Sequence, residues 1–370
     1  MNNKIIDLFA GCGGFSVGFE KAGFSISKAV EFDKNIASIY VDNHPKTKML
    51  VDDISNVNNS SFFKNGEADI IVGGPPCQGF SMAGARIRHN AFLDDPRNHL
   101  FKQYLKVVQI VKPKVFIIEN VKGILSMNKG AIFKEILNVF SNPDNFDGDK
   151  YFVHYKIVRA VDFGVPQKRE RVIIIGRLNY DFDFEENLKK AKTIILSENP
   201  SFYNRVTVKD AIGNLPSPTC SGIIVNPIPQ NDYQSFLQSK EETVSNHTKY
   251  ELTEKALQRV ERIKQGENYT VLNETIRSVH SGSYGRLKWD EPASTITTRF
   301  DTPSGGKFIH PEENRMITPR EAARIQSFPD SFVFNGTKSV ICKTIGNAVP
   351  PKIAYTFAFM VRGLLKDECN

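Results

Sequence analysis

The stretch KIIDLFAGCGGF (residues 4–15) joins a short apolar run to a loop that holds three glycines and then to an amphipathic segment. Glycines at that position permit a tight strand-to-helix turn and a close approach of the backbone to a ligand. Short apolar runs at 5–9, 26–31, 69–72, 115–119 and 172–176 alternate with amphipathic stretches. This alternation predicts an α/β fold, a doubly wound and mostly parallel sheet covered by helices.

The regular alternation ends near residue 179, where clusters such as NLPSPTCSG and NPIPQNDY begin. Clusters of proline, serine and asparagine are typical of loops. We therefore predict a main domain from 1–178 plus 311–370, and a smaller, loop-rich and short-stranded domain over 179–310. Helices are predicted at 98–111 and 351–365 from their spacing, and at 318–326 from a capping box.

The composition limits the class of protein. The 370-residue chain carries a net charge of +7 and a pI near 9.0, which favours a polyanionic partner. Its five cysteines form no C-x-x-C pair, so we expect neither a zinc site nor a disulfide framework, and a reducing cytoplasm fits best. No apolar run approaches the length of a membrane span, and we expect an unexported protein without a membrane or metal partner.

Reactive side chains follow several of the predicted strands. Glu31 ends the second strand, Cys77 lies in GGPPCQGFS (73–81) after the next apolar run, and Glu119 closes another. Ligands bind beyond the carboxyl ends of strands in open α/β sheets, so these side chains should converge. Each alone also fits a structural role: a tight turn, an inert buried thiol, a salt bridge. The basic cluster QKRER (167–171) would by itself be a solvated face.

Together these blocks resemble the DNA cytosine-5 methyltransferase family. DLFAGCGG resembles its first cofactor motif, GGPPCQGFS its nucleophile motif, ENV its acid motif and QKRER its arginine motif, while RMITPREAARIQSFPDSF and GNAVPP resemble its closing motifs. The resemblance covers about 4–178 and 311–365 and implies a target-recognition role for the region between them. It also implies S-adenosylmethionine as cofactor. By this resemblance the S-adenosylmethionine site comprises Phe9, Gly11, Gly13, Glu31, Phe32, Asp53, Ile54, Leu100 and Asn347.

The resemblance also implies a mechanism. Cys77 would add to carbon 6 of cytosine, which makes carbon 5 nucleophilic enough to accept a methyl group. Glu119 would contact ring nitrogen 3 and the exocyclic amine, while Arg169 and Arg171 would stabilise the base oxygen and position the other groups. The target base must leave the stacked duplex to reach these groups. We expect the loop at 79–94 to close over it and to be mobile without DNA.

The expected partner is double-stranded DNA. Ser81, Arg86 and Arg88 in that loop are candidate DNA contacts, and Thr295 of PASTITTRF resembles the family's phosphate-contacting threonine. Arg299 is a candidate guanine reader. A monomer is expected, because one flipping site serves one strand. The compact chain favours a restriction-modification enzyme, with a possible cognate endonuclease, or a solitary modification enzyme.

Three other interpretations remain open at this point. A transfer-RNA cytosine-5 methyltransferase would share the catalytic motifs, although the long middle region favours DNA. A catalytically inactive DNA-binding homologue would typically lack the nucleophile, and Cys77 is present. A nicotinamide oxidoreductase fits the fold class but does not explain the GGPPCQGFS and ENV motifs.

Overall fold

The main sheet has seven strands in the computed structural model, which describes residues 4–57, 62–76, 99–274, 276 and 281–366. The strands among these residues are β1 (Lys4–Leu8), β2 (Ser25–Glu31), β3 (Lys48–Val51), β4 (Ile70–Gly73), β5 (Val115–Val121), β6 (Tyr151–Arg159), β7 (Gln167–Lys168), β8 (Glu170–Leu178), β9 (Ile224–Val225), β10 (Thr243–Val244) and β11 (Ala293–Ser294). The order across the sheet is β3-β2-β1-β4-β5-β8-β6. This confirms the predicted doubly wound architecture.

Strands β1 to β5 are parallel, whereas β8 runs antiparallel to β5 and β6 antiparallel to β8. The strand order reverses between β1 and β4, and a ligand crevice forms at such a switch point beyond the carboxyl ends. Because β8 is antiparallel, its amino end reaches the same edge of the sheet as the carboxyl end of β5. The arginine motif at the start of β8 is therefore brought to the crevice.

Helices cover both faces of the sheet. They are α1 (Gly14–Lys21), α2 (Lys34–Asn43), α3 (Ile54–Val57), α4 (His99–Val111), α5 (Ala131–Ser141), α6 (Phe184–Glu198), α7 (Val208–Ile212), α8 (Asp232–Leu237), α9 (Glu254–Glu261), α10 (Pro319–Ile325), α11 (Lys338–Asn347) and α12 (Pro351–Lys366). The predicted helices correspond to α4, α10 and α12. The capping box of α10 is present, since Thr318 Oγ1 accepts the Glu321 N–H and Glu321 Oε2 accepts the Thr318 N–H.

Two apolar cores lie on opposite faces of the sheet. One packs α1, α6 and α12 around residues such as Phe19, Leu188 and Phe357. The other packs α4 and α5 around a group of rings that includes Tyr104 and Phe140. Among the described residues, no helix has the combined length and apolarity that crossing a membrane would require.

A third core joins the middle of the chain to its closing motifs. Apolar residues of 206–309, such as Val208 and Phe300, share it with residues of 316–345, such as Phe328. The strands of the middle region, β9, β10 and β11, are two residues each, as the loop-rich pattern predicts. The helix α6 and the residue Phe202, by contrast, pack into the first core against the sheet. The exact division of the chain into two domains stays a prediction.

Candidate active site

One pocket of about 670 Å³ lies at the carboxyl ends of β1, β2, β4 and β5. The residues predicted from the sequence that line it are Phe9, Gly11, Glu31, Phe32, Asp53, Ile54, Leu100, Glu119, Arg169, Arg171 and Asn347. Gly74, Pro75 and Pro76, which precede Cys77, also line it. Cys77 itself lies outside the described residues. Eight of the nine predicted cofactor residues and three of the four predicted catalytic residues therefore border one cavity.

Glu31 ties together the loops that follow β1 and β2. Its Oε2 accepts the Gly11 N–H at 2.9 Å, and its Oε1 accepts the Asp33 N–H at 2.9 Å. Burial raises the pKa of this carboxyl, and the two backbone donors oppose that shift. Each oxygen keeps a further lone pair for a ligand hydroxyl, because a carboxylate oxygen can accept more than one hydrogen bond.

The two predicted phenylalanines mark the same end of the pocket. Phe9 follows β1 with a φ of 55°, in the left-handed region that non-glycine residues rarely adopt. Such strain is concentrated at functional sites. The Phe32 side chain is 73% exposed although it borders the pocket, which leaves its ring face free to stack on a planar ligand.

The glycines of the first loop have different roles. Gly11 has a φ of +56°, and a methyl group added there would meet nothing within 4 Å, so its face is open to the pocket. Gly13 is not among the residues that line the pocket, and its contact with the cofactor stays a prediction. Its φ is +92°, and an added methyl group would lie 2.4 Å from His44 Nε2, so packing of the loop on α2 requires glycine there.

Asp7 is a pocket residue that the sequence reasoning did not single out. Its side chain is fully buried beneath the glycine loop, where Oδ2 accepts the Ser16 hydroxyl at 2.7 Å. The Ser16 and Tyr40 hydroxyls are also 2.7 Å apart. Burial raises the pKa of Asp7 to about 8, so the carboxyl stays protonated at neutral pH. The only signal in the sequence was an acid inside an otherwise apolar strand.

We expect Asp7→Asn to change how stability depends on pH. Between the usual pKa of 3.8 and the folded value of about 8, the unfolded chain releases a proton that the folded chain keeps. The wild-type free energy of unfolding therefore falls as pH rises through this window, by up to about 1.4 kcal/mol per unit. Between about pH 6 and 8, the free energy of unfolding of Asp7→Asn, measured in urea, should rise by about 2 kcal/mol relative to that of wild type. If the difference in free energy of unfolding between the two proteins stayed constant over this pH range, Asp7 would be ionised in the folded chain.

Glu119 and Arg171 form the opposite end of the pocket. Glu119 lies on β5, and its Oε1 is 2.9 Å from Arg171 Nε in a close ion pair that is not aligned as a hydrogen bond. A methyl group added at Gly74 would lie 3.5 Å from Glu119 Oε2. The second carboxylate oxygen therefore faces the loop that leads to Cys77. Both side chains are largely buried, which strengthens their interaction.

The neighbouring Asn120 fixes that loop from the same strand. Its Nδ2 donates to the Pro75 carbonyl at 2.9 Å, and its Oδ1 accepts the Val121 N–H at 2.9 Å. A buried amide that holds a backbone carbonyl restricts the movement of the segment to which it is attached. Asn120 therefore positions the two prolines that precede the predicted nucleophile, a role that the ENV motif alone did not reveal.

Arg169 has a different environment from Arg171. Its side chain is 1% exposed, and Nη1 donates to the Gly346 carbonyl at 3.0 Å and lies 3.5 Å from the Ile296 carbonyl. Burial lowers its pKa to about 9, with Arg171 adding to the shift and Glu119 opposing it. Its buried Nε has no hydrogen-bond partner among the described residues. Arg169 thus joins three distant segments at the wall of the pocket.

Two buried glutamines complete this junction. Gln167 Nε2 donates to Gln326 Oε1 at 2.8 Å, and Gln326 Nε2 donates to the Ile345 carbonyl at 2.8 Å. Gln167 Oε1 accepts the Ile296 N–H at 2.9 Å. Strand β11 also pairs with β7 in parallel. Hydrogen bonds therefore hold three segments together: the arginine motif, the PASTITTRF segment and the GNAVPP segment.

The predicted DNA contacts are only partly described. Thr295 follows β11, and its Oγ1 donates to the Lys168 carbonyl at 2.9 Å, close to the arginine motif. The Arg299 side chain is 66% exposed, with Nε 3.5 Å from Asp301 Oδ1, and so is available to a partner. Ser81, Arg86 and Arg88, with the loop at 79–94, lie outside the described residues.

Comparisons with known proteins cover almost the whole chain. The model of a family described as C-5 cytosine-specific DNA methylase matches residues 3–360. Type II methyltransferase M1.HphI of Haemophilus parahaemolyticus is 34% identical over 100% of this chain and 89% of its own length. Type II methyltransferase M.DdeI of Desulfomicrobium norvegicum is 34% identical over 96% of this chain and 87% of its own length.

Solved structures of other proteins share the fold of this chain. A prophage-encoded protein of E. coli, described as a DNA modification methyltransferase, has a TM-score of 0.76 at 29% identity, over 98% of this chain and 99% of that one. The S. pombe Dnmt2 methyltransferase has a TM-score of 0.60 at 17% identity, over 99% of both chains. At that lower identity the likeness shows a shared fold only.

Proposed function

The chain belongs to the C-5 cytosine-specific DNA methylase family, and from this premise we propose that it methylates carbon 5 of a flipped-out cytosine within a short duplex sequence. The methyl donor is S-adenosylmethionine. The observation that carries the proposal is that one pocket extends from Glu31 and Phe32 at one end to Glu119 and Arg171 at the other. Methyl transfer requires donor and acceptor sites that open into each other.

The nucleoside end of the pocket fits S-adenosylmethionine. Glu31 would accept from the ribose hydroxyls, and Asp53 from the adenine amino group, while Phe32 would stack on the adenine. Acidic residues predominate in the lining even without the protonated Asp7: Glu31, Asp33, Asp52, Asp53 and Glu119, against Lys343, Arg169 and Arg171. Such a lining favours a cationic ligand. When bound, S-adenosylmethionine supplies an electrophilic methyl group on a sulfonium.

The other end of the pocket fits a cytosine ring. Cys77, which directly follows the pocket-lining Pro76, would add to carbon 6 as a thiolate and make carbon 5 nucleophilic. Glu119 would hold ring nitrogen 3 and the exocyclic amine, and this contact would discriminate cytosine from thymine. Arg171 would donate to the base oxygen while its Nε keeps Glu119 in place. Arg169 would hold the backbone segments around Ile296 and Gly346 in position.

Relatives and composition support a role in host DNA protection. Relatives at 34% identity are Type II methyltransferases, and the net charge of +7 suits a polyanion. We propose that the enzyme acts as a cytoplasmic monomer in a restriction-modification system, beside a cognate endonuclease. The long middle region favours duplex DNA over transfer RNA as substrate.

The test is methylation of unmodified genomic DNA. Purified protein is incubated with S-adenosylmethionine and the DNA, which is then sequenced by cytosine-conversion chemistry. We expect 5-methylcytosine confined to one short motif, at nearly every copy of that motif. Transfer RNA is treated in parallel under the same conditions. Methylation of transfer RNA alone would replace DNA as the substrate, and methylation of neither, with S-adenosylmethionine bound, would indicate an inactive homologue.

A further inference from the structure

Asp7 is a buried acid at the wall of the main pocket. Its side chain is 1% exposed, and it lines the same cavity as Glu31 and Glu119. Within the described part of the chain, the titratable groups that face it are two acids, two phenols and a thiol: Glu20 on α1, Glu31 on β2, Tyr40 on α2, Tyr104 on α4 and Cys12 in the glycine loop. No cation is among them. A charge buried without a partner is costly, so Asp7 keeps its proton until a cation enters the pocket.

We propose that Asp7 gives up its proton to solvent when the positive charge of S-adenosylmethionine enters the pocket, so that cofactor binding is coupled to the release of one proton. This inference rests on the proposed function and extends it to control of cofactor affinity by pH. An opposite charge close to a carboxyl stabilises its ionised form. S-adenosylmethionine carries two such charges at neutral pH, the sulfonium and the ammonium of its methionyl group.

Two hydroxyls are arranged to stabilise the ionised carboxylate. Ser16 Oγ donates to Asp7 Oδ2 at 2.7 Å. Because that bond uses the only hydroxyl hydrogen of Ser16, Tyr40 must be the donor in the 2.7 Å contact between the Ser16 and Tyr40 hydroxyls. The two hydroxyls thus form a chain of donors that ends at Asp7, and bonds in such a chain strengthen one another. The protein supplies the hydrogen bonds for a negative charge, and the cofactor supplies the positive charge that balances it.

Coupling of this kind makes cofactor affinity depend on pH. Burial raises the pKa of Asp7 to about 8, with Ser16 opposing the shift and Glu31 and Glu20 adding to it. Below that pH the free enzyme carries a proton that binding must release, so affinity for S-adenosylmethionine should rise by up to about tenfold per pH unit between about pH 6 and 8. Above about pH 8 Asp7 is already ionised, and the contribution of this group to the pH dependence should level off.

The test counts the protons released on binding by isothermal titration calorimetry. S-adenosylmethionine is titrated into wild type and into Asp7→Asn in buffers of different ionisation enthalpy, and the dependence of the observed heat on the buffer gives the number of protons. We expect wild type to release about 0.9 proton more than Asp7→Asn at pH 7 and about 0.1 more at pH 9, the fractions that follow from a pKa of about 8. Subtracting the variant removes any proton that the amino group of the cofactor itself releases.

A matched control replaces another acid of the pocket. Asp33 also lines the cavity. Burial raises its pKa, but hydrogen bonds from Lys343 and the Asn35 N–H more than offset burial and leave the pKa below its usual value. Asp33 is therefore ionised at pH 7 in the free enzyme, and Asp33→Asn should release as many protons as wild type, whatever its affinity.

The product S-adenosylhomocysteine identifies the charge that acts on Asp7, because it keeps the ammonium and lacks the sulfonium. Proton release with both ligands assigns the ammonium. Release with S-adenosylmethionine alone assigns the sulfonium, and methyl transfer would then return the proton to Asp7 and favour product release.

Three results bear directly on the role of Asp7. Equal proton release by wild type and Asp7→Asn at pH 7 would overturn that role while leaving the proposed function intact. An affinity of wild type for S-adenosylmethionine that stays constant from pH 6 to 8 would do the same without need of a variant. Failure of wild type to bind S-adenosylmethionine would overturn both.

Discussion

Cys77→Ser is expected to reduce methyl transfer by at least about a thousandfold, the scale seen when a catalytic nucleophile is removed. A serine hydroxyl is far harder to deprotonate than a thiol, so addition to carbon 6 of cytosine would become the slow step. Affinities for S-adenosylmethionine and for duplex DNA should stay close to wild type, because the substitution leaves Glu31, Phe32 and the net charge of the chain unchanged. The measurement is single-turnover methylation of a duplex that carries the recognised motif.

A covalent trap makes this prediction specific to a nucleophile. A duplex with 5-fluorocytosine at the target position should form a stable adduct with wild type, because carbon 5 then holds fluorine where a proton must leave. Cys77→Ser should form no adduct. Cys220→Ser, which alters an exposed thiol, is the control and should keep both activity and adduct. Activity of Cys77→Ser within tenfold of wild type would assign the attack on carbon 6 to another group.

The centre of the sheet was predictable from sequence, and its edges were not. Strands β1, β4 and β5 are buried on both faces, so they read as continuous apolar runs. Strands β3 and β6 are the edges of the sheet, and their side chains are mostly half-buried or exposed. Strand β3 is only four residues long, and the apolar residues of β6 are interrupted by His154 and Lys156, so neither strand gives a clear signal in the sequence.

The convergence of Glu31 and Glu119 was predictable for a similar reason, whereas Asp53, which follows β3, was assigned through the family resemblance. The carboxyl ends of parallel strands share one edge of a sheet, so acids that follow such strands must lie near one another. The contacts of Arg169 were not predictable. They join it to Gly346, 177 residues away, and no local pattern reports a contact of that range.

The contact between Gln167 and Gln326 could not be predicted from the sequence either, because it is also long-range. Gln167 and Gln326 are separated by 159 residues, and each is an ordinary polar residue in its own segment. Only their complete burial shows that the two amides must satisfy each other, because an unpaired buried amide is costly. The family resemblance implied that both arginines of QKRER stabilise the base oxygen. The contacts distinguish Arg169, which holds the backbone of two segments, from Arg171, which pairs with Glu119.

Glu119→Gln is expected to lower the rate of methyl transfer by about 100- to 10,000-fold, the range for loss of general acid–base assistance. Glutamine keeps the shape of the side chain but cannot donate a proton to ring nitrogen 3, and its amide nitrogen cannot accept from the exocyclic amine of cytosine. Affinity for S-adenosylmethionine should change little, because Glu119 lies at the opposite end of the pocket from Glu31 and Phe32. Single-turnover rates and cofactor titrations measure the two quantities separately.

Because Glu119 contacts Arg171, a double-mutant cycle is needed to separate the action of Glu119 on the base from its effect on Arg171. If Glu119 only holds Arg171 through their 2.9 Å ion pair, Glu119→Gln should cause no further loss in an Arg171→Leu background. If Glu119 acts on the base itself, it should still cost about tenfold or more in that background. We expect the second result, because Glu119 Oε2 faces the loop before Cys77 and not Arg171. Complete absence of a further loss would reduce Glu119 to a positioning residue and leave Arg171 as the group that contacts the cytosine.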